Sequence, residues 1–161
     1  MDLTVWDVGL RDKSRPLIRH YFPQTKVLLC VIDSNDRERI GEIKHEIFSF
    51  INDEEQLEDV LFMVLANKQD LPNAMSVQEV ANAIELDRIK QKHNIFGTVA
   101  TTGEGLYEAL EWLYNEYLNK SFDDNKLTEP LNDTVNDLKN MSWYSYLNSL
   151  TSKLYRAVTF K

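Results

Sequence analysis

The chain holds one cysteine, four prolines and five glycines in 161 residues, and its cationic side chains are outnumbered. A single thiol, Cys30, cannot build a disulfide framework. Its place in an apolar run, with nothing nearby to lower its pKa, reads as a small core residue. None of the glycines precedes Gly9, and no stretch reads G-x-x-x-x-G-K-[ST], the loop whose amides and lysine hold a polyphosphate. Eighteen basic residues face 26 acidic ones, a formal net charge of −8. That balance argues against a nucleic-acid partner, which would call for a basic face. No apolar run approaches the ~20 residues of a membrane span, and no signal peptide opens the chain, so a soluble cytosolic protein is expected. No His, Cys, Asp and Glu set has zinc-site spacing. What the chain does have is 43% hydrophobic residues, enough for a core in one domain with a tail.

The apolar residues fall into short runs of alternating kind. Residues 3–6 read as a strand ending at Asp7, and 12–21 as a polar stretch with a short helix stopped by Pro23. The run 26–33 (KVLLCVID) and the run 60–66 (VLFMVLA) are continuous, as in strands covered on both faces. Between them, Ser34-Asn35-Asp36 supplies helix-start chemistry, and Ile40, Ile43, Ile47, Phe50 and Ile51 follow at helical spacing. Ser76 and Glu79 form a capping-box signature for a helix with Val80 and Ile84 inward. A third strand is expected over 95–100, then a turn at Gly103-Glu104-Gly105 and a helix faced by Leu106, Leu110, Leu113 and Tyr117. Strands alternating with helices predict an α/β fold, a parallel sheet with helices on both faces. Ligands in such folds sit beyond the carboxyl ends of the strands. The residues to examine are therefore Asp7 onward, Asp33, 67–70 and 100–103.

Asn67-Lys68-Gln69-Asp70 follows the second run. Alone, four such residues make any polar loop. At a strand end, an aspartate can accept two hydrogen bonds from the N1–H and exocyclic amine of guanine, a donor pair that adenine lacks. Asn67 would tie the loop and reach the base edge, and the Lys68 stem would lie along the purine face. Thirty residues on, Thr98-Val99-Ala100-Thr101-Thr102-Gly103 leaves the third strand at the same edge, where a backbone N–H at Ala100 could bond the guanine O6.

These runs, with Leu3-Thr4-Val5-Trp6-Asp7-Val8-Gly9, Arg19-His20-Tyr21-Phe22, Val31 to Arg39, Ala66 to Ala74 and Ala100 to Tyr107, resemble the Arf (ADP-ribosylation factor) family across residues 1 to about 118. The resemblance implies a Ras-like P-loop GTPase fold whose N-terminal strands and phosphate loop are absent from this sequence. It implies GTP or GDP as the ligand, with Asn67, Lys68, Asp70, Ala100 and Thr101 on the base side and Asp7 and Gly9 on the phosphate side. Asp7 would hold Mg²⁺ through water if another chain supplied the phosphates. It also implies effector or coat proteins and exchange factors as partners, and a place in vesicle-mediated protein transport, cytoplasmic or peripheral at the Golgi and other endomembranes.

The sequence departs from the family after Trp6. The family reads Asp-Val-Gly-Gly-Gln, whereas here Asp7-Val8-Gly9 is followed by Leu10 and Arg11. Leu10 puts a bulky side chain where a glycine lets an amide approach the γ-phosphate, and Arg11 replaces the glutamine that positions the attacking water. Efficient hydrolysis is not expected, and the alternatives are an interaction module that binds no nucleotide or a non-functional fragment. In the family's sheet the missing first strand lies between the third and fourth, so bare strand edges are expected. Trp6 and Tyr21 would belong to an aromatic cluster read by effectors, or would pack on their own sheet. The domain is expected over 1–120, followed by a polar linker over 121–140 broken by Pro130. A basic amphipathic extension over 141–161, with Trp143, Tyr146, Leu147, Leu150, Leu154 and Val158 on one stripe, could contact a membrane surface or pack back on the domain. Met1-Asp2 offers no glycine at the second position, so N-myristoylation is not expected.

Overall fold

The structure is a computed structural model describing residues 20, 22, 23, 25–51 and 57–125, with only the backbone course given for 120–125. The strand expected at 3–6, most of the 12–21 segment, Trp6, Asp7, Gly9, Tyr21 and the 141–161 extension lie outside the described residues. Three parallel strands make the sheet, in the order β1 (Val27–Asp33), β2 (Leu61–Asn67), β3 (His93–Thr98). Helices α1 (Ile40–Ile51) and α2 (Val77–Ala83) connect them, and α3 (Leu106–Asn125) follows β3. This is the expected α/β architecture, and it matches part of a Ras-like GTPase fold.

The strand pattern decides the layering. All seven residues of β2 are buried, because it is central and apolar on both faces. Phe62, Val64 and Ala66 point with Ile32 into a cluster roofed by Ile43, Ile47 and Ile51 of α1 and Val80 of α2. Leu61, Met63 and Leu65 point with Val31 to the other face, against Leu106, Ala109 and Leu113 of α3. Each large side chain so buried contributes roughly 1.5–3 kcal/mol. The outer strand β1 is only half-buried at Val27, Leu28, Leu29 and Cys30. At the foot of the sheet Phe22 is buried with Leu57 and Val60, and meets Phe50 edge-on at 6.2 Å between ring centres.

Local chemistry sets the element ends. Ser76 Oγ accepts the Glu79 N–H at 3.2 Å, and Glu79 Oε2 accepts the Ser76 N–H at 2.8 Å, so the expected capping box opens α2. Helix α1 starts at Ile40, later than Ser34–Asp36 suggested, because those residues serve the strand end instead. Asp33 Oδ1 accepts the Asn35 N–H, and Asp36 Oδ1 accepts the Arg39 N–H. Strand β3 begins two residues earlier than expected, with His93 opposite Phe62, and ends at Thr98. Val99 leaves the ladder for an isolated antiparallel bridge to Glu104, which closes the turn before α3. Helix α3 runs to Asn125, so the first five residues of the stretch read as a linker are helical.

Candidate base-reading site at the strand ends

The carboxyl ends of all three strands meet at one edge, and Asn67 joins two of them. Its side chain is buried, and Oδ1 accepts the Ala100 N–H at 3.0 Å and the Thr98 hydroxyl at 3.2 Å. The Gln69 N–H donates to Thr98 O at 3.2 Å, so the loop after β2 is stitched to β3 at both ends. The asparagine amide nitrogen makes no bond among the described residues. The oxygen is consumed in construction.

Gln69 ties in the third strand. Its Nε2 lies 2.9 Å from Ser34 Oγ, 3.0 Å from Met75 O and 3.2 Å from Ala66 O, three acceptors for two hydrogens. Ser34 is fully buried, donates its N–H to Asn67 O at 2.9 Å and accepts from the Met75 N–H at 2.7 Å. One glutamine thus fixes the end of β1, the end of β2 and the chain entering α2.

Lys68 stands between these anchors in the left-handed region, at φ 67°, a conformation uncommon outside glycine. Its ammonium forms an ion pair with Asp33 Oδ2 across the strand ends. Asp33 in turn is steadied through Oδ1 by the Asn35 N–H at 2.9 Å. Leu71 N–H closes back on Lys68 O at 3.1 Å, which turns the chain so that Asp70 projects outward. Asp70 is exposed and has no hydrogen bond or ion pair among the described residues.

The facing turn is built on close backbone approach. A Cβ on Gly105, which has φ +75°, would lie 1.9 Å from Gly97 O. Gly97 itself has no room, since a Cβ there would meet Val77 Cγ2 at 2.8 Å and Gln69 Cγ at 3.3 Å. The Thr102 and Gly103 N–H groups both close on Val99 O, at 3.1 and 2.8 Å. The Ala100 N–H, assigned above to the guanine O6, is already donated to Asn67 Oδ1. The next N–H, at exposed Thr101, has no partner among the described residues.

Asn67, Lys68, Asp70, Ala100 and Thr101 are therefore brought together, while Asp7 and Gly9 lie outside the described residues. The sequence marked Asp33 and the 67–70 loop as places to examine without giving Asp33 or Gln69 a role, and it missed the junction role of Ser34 and the Gly97–Gly105 approach. Only the glycines carried a signal, since paired glycines around a strand end invite a search for a close approach. Among the described residues no group of three His, Cys, Asp or Glu could hold a metal, and no helix is long and apolar enough to cross a membrane. Among the described residues the Asp70 carboxylate, the Asn67 amide nitrogen and the Thr101 N–H are without partners at this edge of the sheet. The family model described as the ADP-ribosylation factor family matches residues 1–117.

Proposed function

Because the chain belongs to the ADP-ribosylation factor family of GTP-binding small GTPases, we propose that it binds GTP and GDP through the loops that follow β2 and β3. The observation that carries this reading is the Asn67 side chain bonded to both Thr98 and Ala100, which assembles the two loops without a ligand. In this reading Asp70 accepts the N1–H and exocyclic amine of the base. The Asn67 amide reaches the purine edge, and Lys68, held by Asp33, lays its stem along the ring face. The guanine O6 takes the Thr101 N–H and shares the Ala100 N–H with Asn67. Asp7 and Gly9 serve the phosphate side, where Asp7 is the sole candidate contact to Mg²⁺.

By family, its work is regulation of vesicle-mediated protein transport, cytoplasmic or at the surface of the Golgi and other endomembranes, through effectors, coats and exchange factors. The 141–161 extension supplies a membrane-surface contact. A second reading, an interaction module that binds no nucleotide, is favoured by the lack of a G-x-x-x-x-G-K-[ST] stretch in this sequence together with Leu10 and Arg11. Titration of the whole chain with fluorescent guanine and inosine nucleotides separates the two. Binding that weakens for inosine, which lacks the exocyclic amine, and disappears in Asp70→Asn supports the base site. A folded chain that binds neither nucleotide leaves the interaction module.

A further inference from the structure

Lys68 combines a left-handed backbone, at φ 67°, with a side chain that reaches toward β1. Its neighbours hold the backbone. Asn67 is bonded to Thr98 and Ala100, and the Gln69 N–H to Thr98 O, so both flanks of Lys68 are fastened to the end of β3. Neither flank fixes the side chain. An untethered lysine stem has many rotamers, and any contact that needs it in one place must offset that freedom.

The end of β1 supplies what the loop lacks. Asp33 stands opposite Asn67 in the strand register, and its Oδ2 pairs with the Lys68 ammonium. The lysine stem is thereby stretched across the strand ends from β2 to β1. Asp33 is itself held, because its Oδ1 accepts the Asn35 N–H at 2.9 Å. Asp36, the other carboxylate within the field of Lys68, is already engaged: it accepts the Arg39 N–H through Oδ1 and the Arg39 guanidinium through Oδ2. Folding gains little from the Lys68–Asp33 pair. Its side chains are 37% and 25% exposed, and solvent screens so open a pair. What the pair does fix is direction.

We propose that Asp33 is a positioning residue of the base-reading loop, which orders the Lys68 stem along the path of the purine face before any nucleotide arrives. The proposal rests on the base-reading function argued above. Asp33 acts through Lys68 and makes no contact with the nucleotide. Ordering the stem in advance removes part of the entropy that binding would otherwise have to offset. The gain lies at the ring face, which guanine and hypoxanthine share. It therefore differs in kind from the contribution of Asp70, which reads the edge of the base.

Asp33→Asn provides the test, since its Oδ1 still accepts the Asn35 N–H while its NH₂ opposes the ammonium and releases it. In the nucleotide-free full chain, carbon-13 relaxation at the lysine ε-carbons reads side-chain order directly. Lys68 is expected to be more ordered than Lys90, which is exposed and has no ion pair among the described residues, and to fall to the Lys90 level in the variant. Fluorescent guanine and inosine nucleotides are both expected to bind about 5-fold more weakly to the variant. The guanine-to-inosine ratio and the urea midpoint should not change. In a Lys68→Met background the same substitution is expected to alter affinity less than ~2-fold, because no ammonium remains to be held. A native Lys68 as mobile as Lys90, undiminished affinity in Asp33→Asn, or full additivity with Lys68→Met would each overturn the proposal. So would a lowered urea midpoint with an altered ratio, which would make the role of Asp33 structural. A folded chain with an ordered Lys68 that binds neither nucleotide would overturn the base site itself, and the positioning role with it.

Discussion

Gly105 approaches Gly97 so closely that a single added methyl carbon would lie 1.9 Å from the Gly97 carbonyl oxygen. Both partners are backbone, so neither can swing aside. Gly105→Ala must displace the turn from β3, at an expected cost of about 3 kcal/mol from overpacking together with left-handed strain. Gly103→Ala is the matched control. It shares a positive φ of 83° but has open space around it, so about 1 kcal/mol is expected. Urea denaturation of the two variants measures the difference. Equal losses would show that backbone approach does not govern this turn.

Asn67 divides its work between oxygen and nitrogen, which allows its two roles to be separated. Asn67→Ala leaves the Ala100 N–H and the Thr98 hydroxyl without their shared acceptor, and about 1–3 kcal/mol should be lost for each group that stays buried and unpaired. Asn67→Asp keeps an oxygen facing Ala100 and removes the amide donor. That variant should stay well above the alanine variant in chemical denaturation yet lose affinity for guanine nucleotide. Parallel losses in both properties would place the whole role of Asn67 in folding.

Gln69→Ala should uncouple the ends of β1 and β2 from the start of α2. Buried Ser34 loses the donor to its hydroxyl, and the Ala66 and Met75 carbonyls lose theirs. A loss of about 1–3 kcal/mol is expected, together with faster amide exchange at Met75. Unchanged exchange there would mean that the Ser34 backbone holds the α2 entry without help.

The parts of this fold that were legible in the sequence are those where one physical rule acts unopposed. VLFMVLA announces a strand covered on both faces, and Ser76 with Glu79 announces a helix start that forms as read. Where two rules compete, the sequence misleads. Ser34, Asn35 and Asp36 could begin a helix, but Ser34 is drawn instead into the buried junction of β1, β2 and α2. The site was half legible for the same reason. Asp70 and Asn67 stand at strand ends that hydropathy alone locates, whereas the Asp33–Lys68 pair and the Gln69–Ser34 bond join residues 35 apart in the chain. Only the register of β1 on β2 creates that proximity. The Ala100 amide shows the limit: its engagement with Asn67 depends on the folded turn.

Acid should act on α2 through its cap. The Ser76 backbone N–H, then the Ser76 hydroxyl and the Arg37 guanidinium, hold the Glu79 carboxyl below its ordinary 4.5. A depressed carboxyl contributes stability that is full above its unfolded value and is lost as pH falls through the folded one. The helix should therefore weaken only below about pH 4.5, and Glu79→Gln should flatten the acid limb of a stability–pH profile while keeping the capping geometry. An identical acid limb in the glutamine variant would assign the acid sensitivity to other carboxyls.

Cys30 should be nearly inert while the sheet is intact. Desolvation on β1 pushes its thiol from 9.0 up to about 12, and only the thiolate reacts. At pH 8 the thiolate fraction should be roughly 1,000-fold lower than in the unfolded chain, since each unit of pKa is a factor of ten. Alkylation by iodoacetamide should be correspondingly slow in buffer and rapid in urea, with the modified mass appearing only as the chain unfolds. Because the thiol is raised, its ionisation opposes folding, so stability should hold through neutral pH and fall as pH climbs past the unfolded value near 9. Cys30→Ser removes that alkaline loss. Rapid labelling of the folded protein at pH 8 would show that the β1 edge opens to solvent far more readily than its packing against Ile32 and α1 allows.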